Sequence, residues 1–148
     1  MSGSDVAAID RSVAKTEEWL RQLAAELGRP DDRRYAYRVL RAFLHALRDR
    51  LPVDGAAHLA AQLPELLRGV YYEGWRPSRT PEHYRDLAPF LGRIARDAGL
   101  SGHTEAVSCA EAAACVLRLH VTAGELRKVR AALPTAVADI LADEDTWL

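Results

Sequence analysis

Five histidines, two cysteines and a row of arginines are the side chains of this 148-residue chain with the most chemistry to offer. A metal site needs ligands on one face, which an i, i+4 pair on a helix supplies most simply. His45, His58, His83, His103 and His120 contain no such pair, and H-E-x-x-H does not occur. Cys109 and Cys115 lie six residues apart, about 120° around a helix that turns roughly 100° per residue. That suits neither a redox pair nor a shared metal, and their Ala-rich surroundings predict buried, reduced thiols. The sequence has no G-x-S-x-G, phosphate-binding loop or dinucleotide fingerprint. No catalytic residue, metal ligand or cofactor is therefore expected.

Two groups of residues point instead to binding. Arg34, Arg38, Arg41, His45 and Arg48 follow 4-3-4-3 spacing, which aligns them on one helix face beside an apolar stripe. Such a face suits phosphates, acidic protein or an anionic surface. The second group lies in "QLPELLRGVYYEGWRPSRTP", which runs from Gln62 to Pro81. Helical phase from Pro64 puts Leu66, Leu67, Val70, Tyr71, Gly74 and Trp75 on one face, so Tyr71 and Trp75 are expected to pack inward. Tyr72 points away between Arg68 and Arg76, four residues to either side, where an arginine–aromatic stack can form a recognition surface. Gly69, inside the same helix, predicts close approach by a neighbouring helix.

These residues must be positioned by helices. Apolar residues recur at helical spacing almost everywhere, and no period-2 run occurs. Thr16 reads as the N-cap of a first helix ending at Gly28. A long helix follows over about Asp32–Arg50, then a short one over about Asp54–Leu63. Another starts at Pro64 and runs to about Glu73. Thr80 and Pro81 are expected to open a short helix, and Pro89 to restart one ending near Gly99. Thr104 is expected to cap an Ala-rich helix to about His120. Thr122 and Glu125 form a T-x-x-E capping box, Pro134 begins the last helix, and the acidic DEDTWL closes the chain.

A shift of 70 residues superposes Leu63-Pro64 on Leu133-Pro134, Ala36 on Ala106, Leu47 on Leu117 and Arg48 on Arg118. With one residue inserted, WLRQLAAELG falls on FLGRIARDAG. The expected fold is all-α: about eight helices in two tandem pseudo-symmetric four-helix repeats, packed as one domain. The first repeat covers 16–75, a linker with a short helix 76–86, and the second repeat 87–142.

The segment YRVLRAFLHALRDRLPVDGAAHLAAQLPELLRGVYYEGW, with its L-x-x-R-L stretch, QLP junction and Y-x-G-W ending, resembles the bacterial domain-of-unknown-function family 2267. The resemblance implies an all-helical bacterial protein of unestablished role and brings no catalytic residues with it.

Composition bounds the partner. The formal net charge of −1 argues against a globally basic nucleic-acid binder, and Lys15 and Lys128 are the only lysines. No apolar run reaches the roughly 20 residues needed to span a bilayer, and the N-terminus lacks a secretory leader. A cytoplasmic binding or adaptor module that recognises a protein partner through Arg68, Tyr72 and Arg76 is expected. Nucleic-acid binding through the Arg34–Arg48 face and a small-ligand pocket near Trp75 are the alternatives. The sequence leaves the oligomeric state open.

Overall fold

The computed structural model describes residues 3–142. Among them every regular element is helical: α1 (Gly3–Glu26), α2 (Arg33–Arg50), α3 (Val53–Ala60), α4 (Glu65–Tyr72), α5 (Leu87–Ala98), α6 (His103–His120), α7 (Ala123–Ala131) and α8 (Thr135–Ala138), with short 3₁₀ turns at Pro77–Arg79 and Asp139–Leu141. The acidic close of the chain, 143–148, lies outside the described residues.

The helices form where local chemistry supplies their ends. Asp32 caps α2 by accepting the Tyr35 N–H at 3.0 Å. Thr122 caps α7 by accepting the Glu125 N–H at 3.2 Å. Gly99 ends α5 in the left-handed conformation, with φ of 69°. α1, α2, α5 and α6 form the central bundle: α2 packs most extensively on α5, and α1 and α6 close the other sides. Val39, Phe43 and Leu47 of α2 meet Phe90, Leu91 and Ile94 of α5 in this core, all 1% exposed or less. The Phe43 and Phe90 rings meet edge to face with centroids 6.1 Å apart. Alanines 106, 110, 113 and 114 keep the buried side of α6 slim. α3 pairs with α7 and joins the same core through Ala56, Leu59, Ala60 and Val129, α4 lies against α1 and α2, and α8 lies against α5 and α7.

Several local expectations are corrected. The residues before Thr16 extend the first helix, so that α1 begins at Gly3 and Thr16 is no cap: its hydroxyl donates back to Ser12 O at 2.8 Å within the helix. Thr80 and Pro81 open no helix. The chain there is tied to the end of α2 by Glu82 N–H to Asp49 O (2.8 Å) and Arg50 Nε–H to Tyr84 O (2.9 Å). α5 starts at Leu87, so Pro89 lies within its first turn, where its missing N–H would have no partner anyway. Gly102, not Thr104, precedes α6. Gly69 is exposed, and a Cβ placed on it would meet nothing within 4 Å, so no neighbour requires glycine there.

Candidate interaction surface

The arginine stripe of α2 does not face outward along its length. Arg34 is exposed, but the stripe descends as the helix enters the bundle, and His45 and Arg48 are buried at 5% and 2% exposure. The reason is the C-terminus of α4, whose last carbonyls have no partner within their own helix. His45 Nε2–H donates to Val70 O at 2.7 Å. Arg48 Nη1 donates to Tyr71 O (2.7 Å) and Glu73 O (2.8 Å). Arg41 pairs with the Glu73 carboxylate, its Nε–H at 2.7 Å, and Arg38 donates to Ala98 O at the end of α5 (3.1 Å). This corrects the expectation of an anion-facing stripe. Three of its five side chains, Arg38, His45 and Arg48, close helix ends, where the two arginines also meet the negative pole of the helix dipole.

Burial lowers the pKa of His45, and the neighbouring Arg48 and Arg41 push the same way against the Val70 hydrogen bond. The imidazole is therefore neutral and its Nε2 carries the proton. Asp49 continues the network, accepting Arg48 at 2.8 and 3.0 Å and Arg93 at 2.7 Å. Burial alone would raise its carboxyl pKa. The hydrogen bonds from Arg48 and Arg93 outweigh that and hold it below the ordinary value.

The aromatic segment also folds inward more than its phase indicates. Tyr71 is fully buried and its hydroxyl donates to Ala56 O at 2.8 Å. Tyr72 is half-buried, edge-on to Tyr71 (5.4 Å) and tilted against half-buried Trp75 (5.1 Å). Arg68 does not stack on it. Its guanidinium donates to Ala60 O (3.0 Å) and Leu63 O (3.1 Å), closing the end of α3. Arg76 is exposed and borders a 310 Å³ cavity with Asp49, Arg79 and Glu82, and Trp75 is not in its walls. Arg68, Tyr72 and Arg76 thus face three different tasks instead of one stack.

Cys109 is buried and reduced, whereas Cys115 is half-buried, so the expectation of two buried thiols holds for the first alone. Burial raises both thiol pKa values, with Glu26 adding to the effect at Cys115. Sequence reasoning also missed a polar bridge between α2 and α6. The Tyr35 hydroxyl donates to Glu105 at 2.7 Å and lies 3.2 Å from Cys109 Sγ. Glu105 also accepts the Ser101 N–H and hydroxyl, at 2.7 and 2.9 Å. The Ser101 amide foremost, then Tyr35, lowers its pKa to about 2. Among the described residues, no three His, Cys, Asp or Glu side chains gather as metal ligands, and no helix is long and apolar enough to cross a membrane.

What the surface does offer lies on α1. Ile9, Val13, Thr16, Leu20, Leu23 and Leu27 follow one another at alternating four and three residues, a single face of the helix. From Thr16 onward that face packs on the bundle, and Leu23 is fully buried. Toward the N-terminus the bundle falls away: Val6, Ile9 and Val13 are 46%, 62% and 41% exposed. α4 is tied to this end of α1 by the Leu66 N–H, which donates to Ser12 Oγ at 2.8 Å, and the Leu66 side chain is 49% exposed.

Fold and surface together define a small all-α protein in which buried His45 and Arg48 close a helix end and, among the described residues, an apolar helix face stands exposed. Residues 16–140 match the family described as "Uncharacterized conserved protein (DUF2267)", and the chain belongs to that family. No curated protein matches it.

Proposed function

We propose that the protein is a non-catalytic binding module that recognises a protein partner through the uncovered face of α1. The observation that carries this reading is the continuity of that face. The row that fills the core from Thr16 to Leu27 continues outward as Val6, Ile9 and Val13, uncovered among the described residues. Contiguous exposed apolar surface of this kind marks interaction sites in soluble proteins, and an amphipathic helix laid along it would extend the bundle's own packing. Affinity capture with wild type and an Ile9→Glu/Val13→Glu variant tests the reading, alongside light-scattering mass determination for a second copy of the chain as the partner. Both substitutions lie outside the core, so the variant should keep the wild-type melting temperature. Loss of a partner, or of a dimer, in the variant alone supports the reading. Identical capture and mass for both proteins sinks it.

We also infer that the domain is a tandem duplication of a four-helix unit. What supports it is the register of the helices: α2 and α6, α3 and α7, and α4 and α8 start 70 residues apart. Equivalent positions also meet one another, Tyr35 with Glu105 and α3 with α7, as residues near a twofold axis do. Arg48 and its counterpart Arg118 both donate to a carbonyl of the last helical segment of their own unit. Separately produced halves 1–75 and 76–148 should recover the native circular dichroism only when mixed. A half that folds alone with a sharp unfolding transition would contradict interdependent units.

A further inference from the structure

We propose that the 450 Å³ cavity between α1, α4 and the end of α6 binds a small phosphate-bearing molecule, a site independent of the partner face above. Ala8, Arg11, Ser12, Lys15 and Trp19 share one face of α1, turned from the Val6–Val13 row, and this face forms one wall. Arg68 and Glu65 of α4 stand opposite, and His120 lies at the base. Arg11, Lys15 and Arg68 bring three positive charges against the single carboxylate of Glu65. Among the described residues none of the three cations has a carboxylate within 4 Å, a state they share with most cations of the chain, so what sets them apart is their convergence on one cavity.

The α4 side and the base of the site are fixed before anything enters it. Hydrogen bonds from Nε and Nη2 to Ala60 O and Leu63 O fix the Arg68 guanidinium and leave Nη1 without a protein acceptor. Trp19, 1% exposed, stacks on His120 with ring centroids 4.5 Å apart and 15° between planes. The His120 ring is pinned in turn by a 2.6 Å hydrogen bond between Nε2 and Gln22 Oε1. Ligand binding therefore leaves only the exposed Arg11 and Lys15 side chains to be ordered, at an entropic cost confined to those two. The excess of two positive charges matches a phosphate dianion better than a carboxylate. Arginine and lysine close on one oxyanion group give charge-assisted hydrogen bonds. The cavity is larger than phosphate alone requires and falls in the size range of small-metabolite sites, so the organic body lies over His120 and Leu63-Pro64.

Isothermal titration at constant ionic strength with inorganic phosphate, ribose 5-phosphate and uncharged ribose tests the assignment. An Arg11→Gln/Lys15→Gln variant serves as the binding-deficient form. Both residues are exposed, so the variant should melt as wild type does. Ribose 5-phosphate should bind saturably and compete with inorganic phosphate. Ribose should give no heat, and the variant should lose at least about tenfold in affinity, the weight of one charge-assisted contact. The His120 ring proton should shift on titration. The proposal is overturned if neither phosphate probe saturates, if ribose binds as well as its phosphate, or if the variant binds unchanged.

Discussion

Arg48→Met is the most direct probe of how this fold holds the short helix α4 in place. The guanidinium is 2% exposed and makes four hydrogen bonds: two to Asp49 (2.8 and 3.0 Å), one to Tyr71 O (2.7 Å) and one to Glu73 O (2.8 Å). Methionine fills much of the aliphatic volume, so little cavity remains. What is lost is the donor set, leaving two carbonyls at the end of α4 and one side of the Asp49 carboxylate without it. Removing one partner of a buried ion pair costs about 3–5 kcal/mol. Asp49 keeps Arg93 at 2.7 Å and is 14% exposed. The expectation therefore falls at the lower end, about 3 kcal/mol, or roughly 6–12 °C in Tm for a chain of this length. Urea unfolding followed by far-UV circular dichroism measures it. Arg34→Met, at the exposed start of the same stripe, is the control and should cost under about 0.5 kcal/mol. Arg48→Lys keeps the charge but not the fork, and should recover less than half of the loss. A loss in Arg48→Met below about 1 kcal/mol, indistinguishable from the control, would refute the view that α4 is held by Arg48.

Glycine exchanges separate two roles. Gly69→Ala should stabilise by about 0.5–1 kcal/mol, because the position is helical and a Cβ meets nothing. Gly99→Ala should destabilise by about 1 kcal/mol at its φ of 69°. Thermal melts of both variants check the opposite signs. Acidification should weaken the fold in two stages. Burial, foremost, holds His45 below its ordinary pKa of 6.5, so only the unfolded chain gains that proton at first, and stability falls as pH drops below about 6.5. Asp49, held below 3.8 because its arginine hydrogen bonds outweigh burial, adds a loss beneath about pH 4. His45→Gln should reduce the first stage, leaving the share of His120, which burial also lowers; urea midpoints from pH 8 to 3 report both. Native thiol labelling should modify Cys115 first and Cys109 only with global unfolding, since one is half-buried and the other buried. Equal native rates would contradict that order.

The helices most legible in the sequence are those whose ends are written locally. Asp32 before α2, Thr122 three residues before Glu125, and Gly99 after α5 each settle a boundary through atoms within four residues. Thr16 misleads because the same hydroxyl that caps a helix can also donate to the carbonyl four residues back, and both uses leave the same letter in the sequence. Thr80-Pro81 misleads for a different reason. The N–H that would begin a helix there is drawn to Asp49 O, 33 residues earlier, and no local pattern records that competition.

The arginine stripe is harder to read because a helical wheel reports phase and not depth. Arg34 to Arg48 do share a face, but α2 enters the bundle along its length, so one row of like residues passes from solvent to core. The carbonyls that receive its lower half belong to α4, more than twenty residues away. Arg68 repeats the pattern on α3, and Arg118 and Arg130 repeat it on the last segment, donating to Ile140 O and Ala138 O. Short helices explain this use of arginine. α3 and α4, at eight residues each, leave a large share of their carbonyls beyond the reach of their own N–H groups. A long side chain with five donors can close such an end from a neighbouring helix. Arginine-rich composition in a chain of many short helices is thus first a demand of backbone satisfaction. Cations such as Arg11 and Lys15, which lie beside a cavity and close no helix end, are where a search for ligands should begin.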